Sequence, residues 1–213
     1  MRLNKNDNKV WVKVCGICDV ENARIACEEG VDAIGLVFAP SRRLLSLEKA
    51  EEVSKSIMAW PHVKKVGVFV NPSHDEVRKA FEACGLDLAQ LHGDEPPEFC
   101  KTLQYPYIRA FPARSEAWLL EQVSAYPKEA IIVDSFSQSE RGGSGKVFPW
   151  SIARTVSSLG YQVVLAGGLH CDNVHQAVMQ SGAVGVDVSS GVETNGQKDP
   201  DKIRRFIKSV KDI

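Results

Sequence analysis

The sequence has no long apolar segment and no excess of charge of one sign. None of its apolar runs approaches the roughly 18 consecutive residues that indicate a membrane-spanning helix. With 26 basic and 27 acidic residues, the formal net charge is -1, which gives no general surface for nucleic acid or an anionic membrane. Residues 1–9 are polar and lack the apolar core of an export signal. We therefore expect a cytoplasmic protein that binds neither nucleic acid nor a membrane.

The chain is also poor in cysteine motifs that would build a metal or disulfide scaffold. Its six cysteines accompany no other mark of secretion, so we expect free thiols. Cys15 and Cys18 form one C-x-x-C pair, but a tetrahedral zinc site needs two more ligands, and no second pair is present. We predict no metal and no cofactor. A redox role for this pair is a minor alternative, and a disulfide between the two on oxidation stays open.

Eight short apolar runs alternate with segments of helical periodicity. Such alternation predicts parallel strands joined by right-handed crossovers, and eight repeats predict an α/β fold, the (β/α)8 TIM barrel, as one domain over residues 1–213. The glycine-rich fingerprint of a dinucleotide-binding sheet is missing after the first run. We expect residues 1–9 to be loosely ordered. The predicted strands are 10–14, 33–38, 66–70, 88–91, 108–111, 131–133, 163–165 and 184–188.

Helix starts are marked by capping residues. Asp19 and Ser46 are N-cap candidates, and Ser73 with Glu76 three residues later forms a capping box. Gly30 and Gly85 are typical stop signals for the first and third helices. The later helices are predicted at 96–103, 115–124, 148–158, 172–181 and 200–211.

The loops after the last two strands have the composition of a phosphate site. Gly167 and Gly168 follow the seventh strand, and Ser189, Ser190 and Gly191 follow the eighth. In many barrels these two loops bind phosphate through backbone N–H groups, and serine hydroxyls add donors. We therefore predict a phosphorylated small-molecule substrate. The alternative is that the glycines only turn the chain.

Two residues at strand ends are candidates for proton transfer. Asp134 follows an apolar run, and partial desolvation at a barrel mouth favours the protonated form of a carboxyl group, as a general acid requires. Cys15 holds the same position on the first strand. A free thiol is only slightly ionised near neutral pH, so Cys15 would need a nearby cation or loop amides to act as a base. The alternatives are a carboxylate that caps a loop and an inert cysteine.

Residues after the second strand and along the fourth strand are further candidates for binding substrate. Arg42 or Arg43, after the second strand, can bind a carboxylate with two hydrogen bonds, or either can be a solvated loop charge. Gln90 and His92 alternate along the fourth strand and face the same side, so we expect His92 to position substrate. The glycine-rich segment 141–146 does not match a P-loop, and we expect it to close over substrate.

Taken together, these segments resemble the phosphoribosylanthranilate isomerase family of tryptophan biosynthesis, in order along almost the whole chain. Any one segment alone is weak evidence, but the combination is specific. The matching segments are Lys13-Val14-Cys15-Gly16-Ile17, Gly67-Val68-Phe69-Val70-Asn71, Gln90-Leu91-His92-Gly93, Asp134-Ser135, Gly142-Gly143-Ser144-Gly145-Lys146, Ala166-Gly167-Gly168-Leu169 and Val186-Asp187-Val188-Ser189-Ser190-Gly191-Val192-Glu193.

The resemblance implies an Amadori rearrangement of N-(5-phosphoribosyl)anthranilate to 1-(2-carboxyphenylamino)-1-deoxyribulose 5-phosphate. By the same resemblance Asp134 is the general acid, Cys15 the general base, and Arg43 the contact of the anthranilate carboxylate. It also implies that Asp187 lies near the anthranilate amine. The residues that resemble the phosphate cradle are Gly167, Gly168, Ser189, Ser190 and Gly191.

Departures from the family pattern and proteins of related fold leave alternatives to these assignments. The loop at 40–43 is one residue shorter than is usual in the family, which leaves Arg42 as an alternative to Arg43, and Cys18 replaces the usual Thr. A histidine-pathway isomerase of related fold is the nearest alternative, but those enzymes typically have an aspartate in place of Cys15. A non-catalytic phosphosugar-binding barrel is the other. We expect a monomer or a homodimer.

Overall fold

The computed structural model describes residues 9–134 and 150–213. Within them, eight parallel strands form a closed barrel in sequence order, with the eighth strand pairing to the first. The predicted (β/α)8 barrel is therefore confirmed. The strands are β1 Trp11–Cys15, β2 Ala33–Val37, β3 Lys64–Phe69, β4 Leu88–Leu91, β5 Tyr107–Pro112, β6 Ala130–Asp134, β7 Gln162–Ala166 and β8 Gly185–Val188.

Helices follow the strands and cover the outside of the barrel. They are α1 Val20–Glu28, α2 Leu47–Ser56, α3 His74–Cys84, α4 Pro97–Thr102, α5 Glu116–Ser124, α6 Ser151–Ser158, α7 Val174–Ser181 and α8 Pro200–Lys211. After β8 the chain forms a short 3-10 helix, Ser190–Val192, and a small hairpin of β9 Glu193–Thr194 and β10 Gln197–Lys198. No helix in the described ranges has both the length and the apolarity to cross a bilayer.

Local capping explains where the first helices begin. The Asp19 carboxylate accepts from the Asn22 backbone N–H at 2.8 Å, and Ser46 caps α2 in the same manner. The capping box between Ser73 and Glu76 is present in both directions. Three predictions fall wholly or partly outside the described residues: the loose N-terminal segment, the closing loop at 141–146 and the start at 148 of the sixth helix.

The strands alternate between two apolar layers. On β1, Val12 and Val14 point outward into the layer shared with the helices, whereas Trp11 packs against the apolar interior of the barrel. That interior is filled mainly by alanine and branched aliphatic residues, among them Ala33, Val66, Leu88, Ile108, Ile132 and Val164. Because apolar side chains fill the interior of the barrel, the inward-facing polar side chains lie at the carboxyl ends of the strands.

Candidate active site

Strand register places the predicted proton-transfer residues at one end of the barrel. Asp134 on β6 pairs with Ala166 on β7, Ala166 with Asp187 on β8, and Asp187 with Lys13 on β1. Cys15 lies two residues further along β1, on the same inward side as Lys13. The acid and the thiol therefore lie at the same face, separated by the two strands whose loops were predicted to bind phosphate.

Cys15 is a partly buried thiol among charged groups. It packs beside the apolar side chains of Val37, Ala39 and Val68. Burial raises the pKa of the Cys15 thiol above its ordinary value, while the positive charges of Lys13 and Lys198 act in the opposite direction. Nearby cations are thus present, as a base at this position needs, but their effect on the Cys15 pKa is smaller than that of burial.

Lys13 and Asp187 form a buried ion pair inside the barrel. Their side chains are 1% and 6% exposed, and Lys13 Nζ lies 2.8 Å from Asp187 Oδ2. The other carboxylate oxygen, Oδ1, is buried and has no hydrogen-bond partner within the described residues. A buried acceptor of this kind costs free energy unless a ligand donates to it. Asp187 was predicted, whereas Lys13 was not; its only signal was a lysine between two valines in an apolar strand.

Gln90, His92 and Asp134 make a chain of contacts across the mouth. Gln90 Nε2 lies 3.3 Å from His92 Nδ1, and His92 Nε2 lies 3.5 Å from Asp134 Oδ2. The amide nitrogen can only donate, so His92 Nδ1 accepts and its Nε2 carries the proton that faces Asp134. Gln90 Oε1 is buried without a hydrogen-bond partner among the described residues, so it is a second acceptor that a ligand can satisfy.

A second buried ion pair fixes the loop that carries His92. The Arg109 guanidinium contacts the Glu95 carboxylate and donates to the backbone carbonyls of Leu91 at 2.9 Å and Gly93 at 3.1 Å. Glu95 in turn accepts from the backbone N–H groups of Gly93 and Asn71. His92 lies between two residues whose backbone is held in this way, so the backbone that carries its ring has a defined position.

The two candidate arginines, Arg42 and Arg43, differ in position and in exposure. Arg43 crosses directly over Gly16, next to Cys15: a Cβ on Gly16 would lie 2.3 Å from Arg43 Cδ. The Arg43 side chain is 22% exposed, and that of Arg42 is 55% exposed. Both contact Glu193, but Arg43 does so with two hydrogen bonds, Nε to Oε1 at 2.7 Å and Nη2 to Oε2 at 3.0 Å.

Glu193 is the carboxylate that pairs with three cationic side chains, those of Arg42, Arg43 and Lys198. Burial alone would raise the pKa of its carboxyl, but hydrogen bonds from Arg43 and Lys198 lower that pKa to about 2. Lys198 Nζ also donates to the Ser189 carbonyl at 2.9 Å and lies 3.3 Å from the Ser189 hydroxyl. Sequence reasoning missed Glu193 and Lys198 as site residues, because both belong to a short polar hairpin with no feature that points to the barrel mouth.

The two loops that were predicted to bind phosphate, after β7 and after β8, are in close contact. Gly167 and Gly168 have φ values of 88° and 64°, a left-handed conformation that favours glycine. A Cβ on Gly191 would lie 1.8 Å from the Leu169 carbonyl oxygen, so only glycine permits this approach. The Ser189 hydroxyl, which we expected to face phosphate, donates instead to the Cys15 carbonyl at 3.0 Å.

The thiols and the ionisable groups make no metal centre in the part of the chain that is described. All six cysteines are free. No group of three or more His, Cys, Asp or Glu residues there has an arrangement suited to a metal ion. Cys18 Sγ is directed to the backbone carbonyls of Gly16 and Arg43, at 3.5 Å and 3.7 Å.

Comparison with known proteins identifies the family. The family model described as N-(5'phosphoribosyl)anthranilate (PRA) isomerase matches residues 12–209. The chain is 42% identical over 202 residues to N-(5'-phosphoribosyl)anthranilate isomerase of Listeria welshimeri, covering 95% of this chain and 98% of the relative. Phosphoribosyl anthranilate isomerase from Thermotoga maritima superposes with a TM-score of 0.87 at 38% identity, over 96% of this chain and all of the other.

A further solved structure is similar and holds a ligand. It is a phosphoribosyl anthranilate isomerase in complex with reduced 1-(o-carboxyphenylamino)-1-deoxyribulose 5-phosphate, with a TM-score of 0.83 at 35% identity, covering 96% of this chain and 100% of that one. This chain belongs to the N-(5'-phosphoribosyl)anthranilate isomerase family.

Proposed function

We propose that this chain isomerises N-(5'-phosphoribosyl)anthranilate to 1-(2-carboxyphenylamino)-1-deoxyribulose 5-phosphate, with Asp134 as general acid and Cys15 as general base. One observation carries the assignment of roles. The acid on β6 and the thiol on β1 flank β7 and β8, whose loops form the glycine-rich cradle. A substrate with its phosphate in that cradle has its sugar between the two groups.

Asp134 acts in the first step. Its proton passes to the ribose ring oxygen, the bond between that oxygen and C1 breaks, and the lone pair of the anthranilate nitrogen forms the C1–N double bond. The product is an open-chain Schiff base with a positive nitrogen, and Asp134 is left as a carboxylate. His92 Nε2–H, 3.5 Å from Asp134 Oδ2, stabilises that carboxylate after the transfer.

Cys15 acts in the second step as a thiolate. It removes the C2 proton, and the electron pair of the C–H bond moves to form the C1–C2 double bond while the C1–N pair returns to nitrogen. The resulting enolamine becomes the ketone when C1 gains a proton and the C2 hydroxyl loses one. Protonated Cys15 and the Asp134 carboxylate are the donor and acceptor that this tautomerisation needs, so protons balance over the cycle.

The remaining residues bind the substrate. Backbone N–H groups of Gly167, Gly168, Ser189, Ser190 and Gly191 hold the phosphate, since the Ser189 hydroxyl is already used by Cys15. Arg43, oriented by Glu193, binds the anthranilate carboxylate. Asp187 Oδ1 accepts from the anthranilate N–H, and Gln90 Oε1 accepts from a sugar hydroxyl, which satisfies both buried acceptors. The reaction transfers only protons, so the proposal includes no metal or cofactor.

The loss of substrate fluorescence tests this function. Purified protein should consume freshly prepared phosphoribosylanthranilate, and Cys15→Ser or Asp134→Asn should abolish most of that activity. A histidine-pathway aminoaldose should not be converted, because Cys15 replaces the aspartate typical of those enzymes. Binding of substrate without turnover would instead support a phosphosugar-binding barrel. We place the enzyme in the cytoplasm, as a monomer or homodimer, and sedimentation distinguishes the two assemblies.

A further inference from the structure

Lys13 is the most deeply buried charged residue near the site, and the mechanism above gives it no task. Its side chain is 1% exposed and points into the barrel from the middle of β1. Burial of an ammonium group is costly unless it is paired and hydrogen-bonded. Asp187 supplies one partner at 2.8 Å. A lysine placed there to stabilise the fold alone would be a poor choice, because an apolar pair of similar volume is often as stable.

A glycine on the neighbouring strand brings the Lys13 ammonium to the Cys15 sulfur. Gly35 on β2 pairs with Cys15 in the strand register. A Cβ on Gly35 would lie 2.9 Å from Cys15 Sγ and 3.1 Å from Lys13 Nζ. Both atoms therefore lie over the bare backbone of β2, next to the space that a side chain at position 35 would fill.

We propose that Lys13, held by Asp187, is a positioning residue that stabilises the thiolate of Cys15 and so makes it available as a base. The inference rests on the proposed function for the role of Cys15. Lys13 does not touch the reacting atoms in this account; it acts through the sulfur. Asp187 orients the ammonium through Oδ2 and keeps Oδ1 for the substrate.

The charges around the sulfur agree with this role. Lys13, Lys198 and Arg43 present positive charge to Cys15 from β1, β10 and the loop after β2, and Asp187 presents negative charge from β8. Although burial acts to lower the pKa of Lys13, the charges of Asp187 and Cys15 raise it above its ordinary value, so Lys13 remains an ammonium. Among the groups that lower the pKa of Cys15, Lys13 has the largest effect.

The test measures ionisation of Cys15 directly, from the rate of its alkylation by iodoacetamide between pH 6 and 11. Cys18 is replaced by Ser in the parent, so that Cys15 is the single alkylation site of its tryptic peptide in mass spectrometry. Lys13→Met should raise the alkylation pKa of Cys15 by about one unit or more, which is about tenfold less thiolate at a fixed pH below it. Asp187→Asn should lower that pKa, because it removes the nearby negative charge and keeps a side-chain oxygen that accepts from Lys13.

The two variants should shift the Cys15 pKa in opposite directions, and this distinguishes the proposed role of Lys13 from a purely structural one. If the ion pair only held the barrel together, breaking it from either side would loosen the same site and move the Cys15 pKa in one direction. An unchanged pKa in Lys13→Met, or shifts of the same sign in both variants, would overturn the proposal. Lys64→Met is the matched control: it removes a half-exposed lysine on β3 that pairs with Asp87, and it should leave the Cys15 pKa unchanged.

A double variant keeps the test decisive if either single variant fails to fold. Lys13→Met with Asp187→Asn leaves no buried charge without a partner, and it should still raise the Cys15 pKa above that of the parent, since Lys13 has the larger effect of the two. An equal or lower value would overturn the inference. Alkylation needs no turnover, so the two proposals can fail separately. Full activity in Cys15→Ser would refute Cys15 as the base. An alkylation pKa of Cys15 that is the same in Lys13→Met and in the parent would refute the role of Lys13 alone.

Discussion

Replacement of Glu193 by Gln should weaken both the fold and substrate binding. Its side chain is 4% exposed and binds Arg43 and Lys198 at distances of 2.7 to 3.0 Å. The pKa of Glu193 falls from 4.5 to about 2, and one unit corresponds to 1.36 kcal/mol, so the ionised form contributes roughly 3 kcal/mol. Glu193→Gln keeps the shape but removes the charge, and it leaves the buried Lys198 and the partly buried Arg43 without their counter-ion.

The stabilisation by Glu193 should depend on pH in a defined direction. Because the folded pKa lies below the unfolded one, this contribution is fully present above about pH 4.5 and is lost as the pH falls toward 2. Urea unfolding of both proteins should therefore give a difference of roughly 3 kcal/mol at pH 7 that shrinks across that window. KM should also rise several-fold, since Arg43 loses its orientation, and kcat should fall less.

A matched exposed variant controls this measurement. Glu52→Gln removes a carboxylate that is 55% exposed and pairs with Lys49 at the surface, where such pairs contribute about 0 to 1 kcal/mol. Equal stability of Glu193→Gln and the wild type at pH 7, or a difference that does not change between pH 5 and 2, would show that the ionised Glu193 does not stabilise the fold.

Three further changes test other parts of the site. Asp134→Asn should lower kcat by about 10²-fold or more with an unchanged circular dichroism spectrum, and full turnover would remove Asp134 from the mechanism. Arg43→Ala should raise KM about 10- to 100-fold, the scale of a lost hydrogen bond to a charged group, with a smaller change in kcat; the reverse pattern in steady-state kinetics would contradict the assignment. Gly191→Ala should cost about 1 to 3 kcal/mol and weaken phosphate binding in calorimetry, because its Cβ would lie 1.8 Å from the Leu169 carbonyl oxygen; unaltered affinity would show that the cradle lies elsewhere.

The fold was predictable because its signals are local. Apolar runs, capping residues and glycine stops act within a few positions, and the observed strands and helices begin and end within about two residues of the predicted ones where both are described. The strand ends also indicated Cys15 and Asp134, since in a parallel barrel every strand end points to the same face.

The charge network was not predictable, because it depends on contacts between distant parts of the chain. Lys13 meets Asp187 across 174 positions, and Arg43 meets Glu193 across 150. No local pattern distinguishes a lysine that forms a buried pair from one at a surface. For the same reason the sequence left Arg42 as an alternative to Arg43, and it assigned to phosphate a Ser189 hydroxyl that donates to the Cys15 carbonyl.

The most direct test of the account is the steady-state turnover of phosphoribosylanthranilate by the purified chain and by its Cys15→Ser variant. We expect rapid consumption of substrate by the wild type and a loss of about 10²-fold or more in kcat for the variant, with KM little changed. No turnover by the wild type, or equal turnover by both proteins, would contradict it.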